Sequence, residues 1–360
     1  MKIVEVIPSL GSGGGEKFVI DLSNTFAEQR HEITILTLYD LSEDDILKRY
    51  VQPNIALTSL SKRSGADLKC MFRLFRYIRM SSPDIVHVHL GAIMYILLSA
   101  VLCRRVKYYA TIHSEARREA GSGLAKWGRY FLFRFGLVSP VTISEESEKS
   151  FLKFYKIPSH LITNGCSAFV KDNNASQQFS KYRNNVDYVF CHAGRIHDVK
   201  NQLMLVRSFN RIVKQGIKAR LLIAGRAEDI SIFNELKCFF SEHIIYLGEQ
   251  PDIKSIMSQC DAFCLSSKME GMPITIIEAF SVGCIPIVTP VGGCINMIRN
   301  GENGFIAKSV SEDAYFDSLM DFINTSQSRL DIIVENIKED FKTNYSIDKT
   351  AKQYIEYFQE

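Results

Sequence analysis

Two glutamates flank the predicted start of a helix and could hold a polar ligand there. Pro273 suits a first helical turn, so Glu270 lies in the loop ahead of the helix and Glu278 about one turn inside it, among apolar residues. A carboxylate on such a helix needs hydrogen-bond partners, because burying it alone is costly, and sugar hydroxyls are suitable partners. Free N–H groups at a helix start would also meet a phosphate. The segment therefore indicates a ligand with hydroxyl and phosphate groups; two exposed glutamates are the alternative.

A basic pair follows the first predicted strand in the second half of the chain. Arg195 and Lys200 stand in the run Gly-Arg-Ile-His-Asp-Val-Lys, on a strand-to-helix connection. Arginine presents a planar fork to phosphate and lysine a point charge, and each charge-assisted hydrogen bond contributes about 1.5–3 kcal/mol. The pair is suited to a phosphate group, and two solvated surface cations are the alternative.

A glycine-rich loop follows the first predicted strand of the chain. Gly13, Gly14 and Gly15 let the backbone approach a ligand closely, and the next helix offers free N–H groups to an anion. A dinucleotide-binding loop of the form G-x-G-x-x-G would need a third glycine where Glu16 stands, although Asp40 does end the second strand. A dehydrogenase and a turn without any ligand are therefore two further interpretations.

Short apolar runs alternate with helix-length amphipathic segments on both sides of residues 171–185. Apolar strands joined by helical crossovers are typical of parallel sheets covered on both faces. Ligands bind such sheets beyond the carboxyl ends of the strands, where all three motifs stand. We therefore predict an α/β protein with two Rossmann-like domains whose parallel sheets face each other across a cleft. The predicted strands nearest the motifs are Lys2–Ile7, Asp84–His89, Lys107–Thr111, Tyr188–Ala193 and Ala262–Leu265.

Four separated motifs together resemble those of glycosyltransferase family 4, which has the GT-B architecture. The resemblance spans essentially the whole chain, and the last two motifs in combination are specific. The motifs are the loop Gly14-Gly15-Glu16, His113 after the strand Lys107–Thr111, Gly-Arg-x4-Lys at Gly194, Arg195 and Lys200, and Glu-x7-Glu at Glu270 and Glu278.

The resemblance implies retaining transfer of a sugar from a UDP- or GDP-sugar to a glycan or lipid-linked acceptor, in bacterial surface polysaccharide synthesis. It implies that the basic pair holds the leaving diphosphate, that Glu270 lies by the donor sugar ring and that Glu278 binds the ribose hydroxyls. His113 would lie near the reacting centre. The expected catalytic residues are His113, Arg195, Lys200 and Glu270, and the expected nucleotide-sugar-binding residues are Gly13, Gly14, Gly15, Arg195, Lys200, Glu270, Gly271, Met272, Pro273, Ile274 and Glu278.

Two alternatives keep the same fold or ligand. One is a sugar-nucleotide epimerase or phosphorylase, and the other is a non-catalytic nucleotide-sugar-binding subunit. No Asp-x-Asp triplet, the usual metal anchor of the other large glycosyltransferase fold, occurs in the chain. We therefore expect metal-independent catalysis without a cofactor, in which cations and helix dipoles replace a metal. His87 and His89 have ligand-like spacing, but no third ligand is near in sequence and we expect no zinc.

The predicted domain boundaries follow the alternation of elements. Residues 1–170 form an acceptor-side domain, residues 171–185 a linker rich in Asn, Ser and Gln, and residues 186–340 the nucleotide-sugar-binding domain. By the resemblance, residues 341–360 form a last helix that packs back on the first domain.

The first half of the chain is basic. Residues 62–156 hold 17 basic and 7 acidic residues, although the net charge of the 360 residues is only +3, too small to argue for nucleic acid. This excess of basic residues indicates a face that meets something anionic, and a solvated basic surface is the alternative. Lys62–Met80 could lie on an anionic inner membrane leaflet or cover the sheet with a basic outer face. The residues around Trp127 could contact a membrane or an acceptor, but we expect them to form a packed helix.

Composition excludes several other classes of protein. The content of 46% apolar and 23% charged residues is typical of a folded chain, and the apolar run Leu90–Leu102 is shorter than the roughly 20 residues of a membrane span. Met1–Ile7 is strand-like rather than leader-like, and the nine scattered cysteines favour reduced thiols. We expect a cytoplasmic protein that can contact the inner face of the cell membrane peripherally.

Overall fold

The computed structural model describes residues 1–43, 45–120, 123–170 and 178–360. It divides the chain into two compact units, Met1–Cys166 with Ser346–Glu360, and Ser167–Tyr345. Each unit is built on its own parallel sheet, so the predicted pair of Rossmann-like α/β domains is confirmed. Residues 171–177 of the predicted linker lie outside the described residues, and Lys181–Arg183 form a 3₁₀ turn.

The first unit contains a seven-stranded sheet in the order β3-β2-β1-β4-β5-β6-β7. Its central strands are almost wholly buried, as expected for parallel strands covered on both faces. The strand order reverses direction between β1 and β4, and such a switch point opens a crevice at the carboxyl ends of the strands. The strands are β1 Lys2–Ile7, β2 Glu32–Thr37, β3 Ala56–Ser59, β4 Ile85–His89, β5 Lys107–Ile112, β6 Ser139–Thr142 and β7 His160–Leu161.

The helices of this unit cover the sheet with apolar faces. Cys70, Leu74 and Ile78 recur at helical spacing on α2 and are buried, and Asp67 caps the helix by accepting from the amide of Cys70 at 3.0 Å. The helices are α1 Gly14–Glu28, α2 Leu68–Ser81, α3 Leu97–Leu102, α4 Ala116–Glu119, α5 Gly123–Arg134 and α6 Glu145–Tyr155, with 3₁₀ segments at Ile46–Tyr50 and Leu90–Ile96.

The helix expected around Trp127 is α5, and it packs on the core, but Trp127 is not one of the residues that pack. This side chain is 69% exposed, because α5 turns Leu132 and Phe133 toward the core instead.

The second unit repeats the same strand order in a six-stranded parallel sheet, β10-β9-β8-β11-β12-β13. Its switch point lies between β8 and β11. The strands are β8 Tyr188–Ala193, β9 Ala219–Ala224, β10 Ile244–Gly248, β11 Ala262–Leu265, β12 Ile285–Val288 and β13 Phe305–Ile306. The helices are α7 Gln202–Lys214, α8 Ile230–Lys237, α9 Ile253–Met257, α10 Ile274–Val282, α11 Cys294–Met297, α12 Glu312–Asn324 and α13 Gln327–Asp340, with a 3₁₀ turn at Asp198–Lys200 and a π-helical turn at Phe341–Tyr345.

The last helix, α14 Ile347–Gln359, belongs to the first unit. Its fully buried Tyr354 and Phe358 pack on α1, with ring centroids 6.3 Å from Phe18 and 6.1 Å from Phe26. The hydroxyl groups of Tyr354 and Thr111 share a hydrogen bond of 2.8 Å. These contacts tie the end of the chain to the centre of the first sheet.

Among the described residues, none of the helices combines the length and the apolar character that crossing a bilayer requires.

Candidate active site

The structure joins two predicted site residues directly in the second unit. Lys200 lies after β8 and Glu270 after the adjacent strand β11, and Lys200 Nζ is 2.7 Å from Glu270 Oε1. The same carboxylate oxygen accepts a hydrogen bond from the Ser267 hydroxyl at 2.5 Å. The side chains of Lys200 and Glu270 are 21% and 10% exposed, so water reaches this pair only partly. A cation and a carboxylate thus meet at the switch point of the sheet.

Arg195 lies on the same connection but pairs elsewhere. Its Nη1 is 2.8 Å from Glu228 Oε2, and both side chains are exposed. An exposed ion pair of this kind contributes at most about 1 kcal/mol. The Arg195 guanidinium can therefore exchange Glu228 for a more strongly charged anion at little cost.

The backbone under this arginine is fixed by two residues that the sequence did not single out. Buried His192 donates from Nδ1 to the carbonyl of Cys264 at 2.9 Å, and burial together with the nearby charge of Lys200 lowers the pKa of His192 to about 4. Its Nε2 therefore accepts from the Gln202 amide at 3.2 Å, and the same amide nitrogen donates to the carbonyl of Arg195 at 2.8 Å. The only sequence signal was a histidine within the apolar strand β8.

The start of α10 has the character expected of an anion site. Pro273 is the N-cap rather than a residue of the first turn, and no side chain caps the helix among the described residues. The first N–H groups of an α-helix have no intrahelical partner, and the helix dipole favours an anion there. Glu278 is buried on the same helix, 7% exposed. Met272 and Ile274 are also buried, so the loop Gly271–Ile274 is held in place by its own side chains.

A second loop, which the sequence analysis missed, supports the loop of Glu270. The amide of Gly293 donates to the carbonyl of Gly271 at 2.8 Å. A Cβ atom at Gly292 would lie 1.8 Å from the carbonyl oxygen of Glu270, and Gly292 has a φ of +48°. Only glycine allows this approach. The Gly-Gly pair after β12 was a usable signal, but its partner loop is distant in sequence.

In the first unit, the glycine loop leads into α1 as predicted. Gly13 is the N-cap, and its position is closely covered by the side chain of Glu16, whose Oε2 would lie 2.2 Å from a Cβ atom at Gly13. Gly15 faces Leu90, with 3.2 Å between a Cβ atom there and Leu90 Cδ2. A larger residue at Gly13 would therefore require the Glu16 carboxylate to move.

His113 lies directly after β5 and is half-buried. Its Nε2 is 3.0 Å from Nδ1 of His89, which ends the adjacent strand β4, and its ring packs edge-on against Phe18 of α1. Burial and the neighbouring histidines hold the pKa of His113 well below its usual range. His113 is therefore a neutral imidazole beside the helix that carries the glycine loop.

Glu119 is a further titratable group near His113. Its Oε2 accepts from the amide of Ser114 at 3.1 Å, and Arg129 donates to its backbone carbonyl. Burial raises the pKa of Glu119 to about 7, against the lowering effect of the Arg129 charge. The sequence analysis missed this residue, because the spacing from His113 carries no recognisable motif.

His87 and His89 do share a third candidate ligand, which sequence distance hid. Both imidazoles contact the carboxylate of Glu5 on β1, and the three ligand atoms lie within 4.8 Å of one another. The shared atom Oε2 is 3.0 Å from His87 Nδ1 and 2.7 Å from His89 Nε2, which are hydrogen-bond distances. The three residues, called the Glu5 cluster below, are already satisfied by hydrogen bonds.

The two sets of groups differ in chemistry. Around β8, β11 and α10, the second unit combines two cations, a helix N-terminus and two carboxylates, which fits a phosphorylated ligand that also carries hydroxyls. Around β1, β4 and β5, the first unit combines a glycine loop with neutral imidazoles.

Comparison with known families agrees with this chemistry. Residues 160–340, half of the chain, match the family of glycosyl transferases group 1, and residues 12–168 match the model described as Glycosyltransferase Family 4. The chain therefore belongs to the glycosyl transferases group 1 family and is a glycosyltransferase. The resemblance stated from the sequence motifs is confirmed.

Curated relatives cover most of the chain. A UDP-Gal:alpha-D-GlcNAc-diphosphoundecaprenol alpha-1,3-galactosyltransferase of Escherichia coli is 25% identical, over 87% of this chain and 85% of its own length. A Campylobacter jejuni GalNAc-alpha-(1->4)-GalNAc-alpha-(1->3)-diNAcBac-PP-undecaprenol alpha-1,4-N-acetyl-D-galactosaminyltransferase is 21% identical, over 99% of this chain and 97% of its own length.

Solved structures share the fold along the whole chain. Anabaena Alr3699/HepE in complex with UDP and glucose superposes with a TM-score of 0.83 at 17% identity, and each chain is covered completely. At this identity the likeness concerns the fold alone, and the structural neighbours are GT-B glycosyltransferases.

Proposed function

We propose that this group 1 glycosyltransferase moves a sugar from a UDP- or GDP-sugar to a glycan or lipid-linked acceptor, with retention and without a metal. The single observation that carries the proposal is the contact of Lys200 with Glu270, 2.7 Å apart beside the uncapped start of α10. A cation, an acid and a helix N-terminus at one switch point suit the diphosphate and sugar of such a donor.

The leaving group determines what the cations do. Breaking the bond between sugar and phosphate builds negative charge on the diphosphate, and preorganised donors lower that barrier. Lys200 would turn from Glu270 toward the phosphates, and Arg195 would turn from Glu228. Both exchanges replace a carboxylate by a more highly charged anion, so the ion pairs hold the cations ready in the free enzyme.

The remaining roles follow the family resemblance. Glu270 would then face the donor sugar ring, and Glu278 would accept from the ribose hydroxyls. The backbone of Gly271–Ile274 would support the sugar and phosphates, and the loop Gly13–Gly15 would close on the phosphates or acceptor. His113 would lie near the reacting centre. Since the chain has no Asp-x-Asp triplet, cations and helix dipoles would take the part of a metal.

The names of relatives support the choice of donor and acceptor class. The Escherichia coli relative is named for UDP-Gal and a diphosphoundecaprenol acceptor, and the Campylobacter relative for a PP-undecaprenol acceptor. A Staphylococcus aureus relative, 27% identical over 45% of this chain, is named a capsular polysaccharide biosynthesis glycosyltransferase. A lipid-linked acceptor in surface polysaccharide synthesis fits this set.

The outer surface of the first unit supports a peripheral membrane contact. Trp127 and Phe135 are 69% and 67% exposed at α5, and Phe72 is 57% exposed on α2. Exposed cationic side chains lie on both helices, among them Lys69, Arg76, Lys126 and Arg134. Aromatic and basic side chains together favour an anionic lipid surface.

Two assays test the donor. Thermal-shift screening of UDP-, GDP- and ADP-sugars beside NAD should identify one nucleotide-sugar class that raises the midpoint, and that donor should release nucleoside diphosphate slowly in water with EDTA present. Stabilisation by NAD alone would favour a dehydrogenase. Binding without any turnover would favour a non-catalytic subunit, and conversion of the donor to a different nucleotide sugar would favour an epimerase. Release of a sugar phosphate when inorganic phosphate is supplied as the acceptor would favour a phosphorylase.

Vesicle sedimentation tests the membrane contact. The wild type should sediment with phosphatidylglycerol vesicles and much less with phosphatidylcholine vesicles, and Trp127→Ser with Phe135→Ser should weaken binding several-fold. Vesicle binding by the double variant equal to that of the wild type would show that these two side chains do not contact the membrane.

A further inference from the structure

The carboxylate of Glu5 fixes the direction of the hydrogen bonds around it. Glu5 has no exposed surface, and it accepts from His89 Nε2 at 2.7 Å and from His87 Nδ1 at 3.0 Å. Burial alone would raise the pKa of Glu5, but the charge and hydrogen bonds of the two histidines lower it to about 2. An ionised carboxylate only accepts hydrogen bonds. The proton of His89 that faces Glu5 is therefore on Nε2.

This proton position determines the tautomer of the next histidine. Burial and the charge of His87 lower the pKa of His89 to about 4, although Glu5 opposes the shift. A neutral His89 with its proton on Nε2 has a lone pair on Nδ1, which lies 3.0 Å from Nε2 of His113. His113 must therefore donate from Nε2. Being neutral, it carries no proton on Nδ1.

We propose that Glu5 and His89 are positioning residues that hold His113 with Nε2 protonated and Nδ1 ready to accept a hydrogen bond from a substrate hydroxyl. The three residues, called the histidine relay, run from the buried middle of β1 through the end of β4 to the residue after β5. The activity part of this inference rests on the proposed role of His113 near the reacting centre. An imidazole without such a partner would exchange between tautomers and rotate.

The other imidazole of the Glu5 cluster, that of His87, is hydrogen-bonded to a group outside the histidine relay. His87 Nε2 is 2.7 Å from the Thr111 hydroxyl, and that hydroxyl is 2.8 Å from the hydroxyl of Tyr354 on α14. These groups tie the cluster to the last helix. They offer a matched control, because Tyr354→Phe removes one buried hydroxyl at the far end of the network and leaves the relay untouched.

Histidine NMR on the intact protein reads the tautomer without any substrate. In the wild type labelled with ¹⁵N-histidine, long-range correlations should show His113 protonated at Nε2 only, with its signals assigned from a His113→Gln variant. Glu5→Gln should give His113 a mixture of tautomers, since an amide both donates and accepts. Tyr354→Phe should leave the His113 pattern unchanged. A wild-type His113 protonated at Nδ1 would overturn the proposal, and so would stoichiometric zinc in the purified protein.

Turnover then tests whether the tautomer matters. With the nucleotide sugar that stabilises the protein most, Glu5→Gln should lower kcat for donor hydrolysis at least tenfold with KM within about twofold. Tyr354→Phe should keep both within about twofold. Equal losses in both variants would make the network structural and overturn the positioning role. If no nucleotide sugar binds, the proposed function fails, but the NMR experiment still shows whether the histidine relay fixes the tautomer of His113.

Discussion

The Glu5 cluster of the first unit is shielded from water, whereas Lys200 and Arg195 of the second unit keep contact with water and are paired with carboxylates. Glu5, His87 and His89 have no exposed surface, while Lys200 is 21% and Arg195 is 56% exposed. Burial fixes which atom carries a proton, because each buried polar group needs one definite partner. Partial exposure leaves an ion pair able to exchange its partner, because water lowers the cost of separating it. The buried groups of the first unit therefore hold one fixed set of hydrogen bonds. The paired cations of the second unit can instead exchange their carboxylates for the charged groups of a ligand.

Removing one carboxylate from each unit should show the largest difference. Glu5→Ala leaves two buried imidazole N–H groups without an acceptor, at about 1–3 kcal/mol each, and should lower the free energy of unfolding by about 2–6 kcal/mol. Glu270→Ala leaves Lys200 with access to water and should cost about 1 kcal/mol. Urea unfolding followed by circular dichroism measures both. Similar costs for the two variants would contradict the contrast between the units.

Acidification should destabilise the protein through both units. His89 and His192 have pKa values of about 4 in the folded protein against 6.5 in the unfolded chain. Below pH 6.5 these two histidines bind protons in the unfolded chain but not in the folded protein. The free energy of unfolding therefore falls between pH 6.5 and 4, by at most about 3 kcal/mol for each group.

The carboxylate of Glu5 extends this loss to lower pH. Its pKa is about 2 in the fold against 4.5 unfolded, so its contribution is lost as the pH falls from 4.5 toward 2. Thermal midpoints across pH 7.5 to 3 measure the sum, and His192→Gln should flatten the upper part of the curve. A midpoint that is constant between pH 6.5 and 4 would contradict the neutral buried histidines.

A smaller effect should come from the loop that supports Glu270. In Gly293→Ala the new Cβ atom would lie 2.3 Å from the carbonyl oxygen of Gly271, so the loop must shift. We expect a roughly tenfold higher KM for the donor, equivalent to about 1.4 kcal/mol. Gly216→Ala is the control, because Gly216 has a φ of +84° but open space around it. Gly216→Ala should lower the stability of the protein without changing KM. Equal KM values for Gly293→Ala and Gly216→Ala would show that Gly293 does not support the loop of Glu270.

The sequence was sufficient for the elements and for the local part of each site. The start of α10 at Ile274 and the connection from β8 to Lys200 follow from nearby glycines, prolines and apolar runs, so the positions of Glu270 and Glu278 relative to that helix could be predicted. Local signals of this kind act within a few residues.

The partners across the sheets could not be predicted in the same way. Glu5 stood out as a charge within an apolar strand, but its contact with His89 depends on the pairing of β1 with β4, more than 80 residues away. The support of Gly271 by Gly293 depends equally on the packing of two distant loops. A single sequence contains the residues of such contacts but not the tertiary pairing that joins them.

The most direct test of the account is the release of nucleoside diphosphate from the preferred nucleotide sugar by the wild type, Lys200→Ala and Lys268→Ala, with EDTA present. Lys268 is a control cation, 47% exposed and paired with Asp198 in the same unit. We predict that Lys200→Ala releases the diphosphate about 10²–10³ times more slowly than the wild type, with a thermal midpoint only a few degrees lower, while Lys268→Ala stays within about twofold. Equal rates for Lys200→Ala and the wild type would contradict the account.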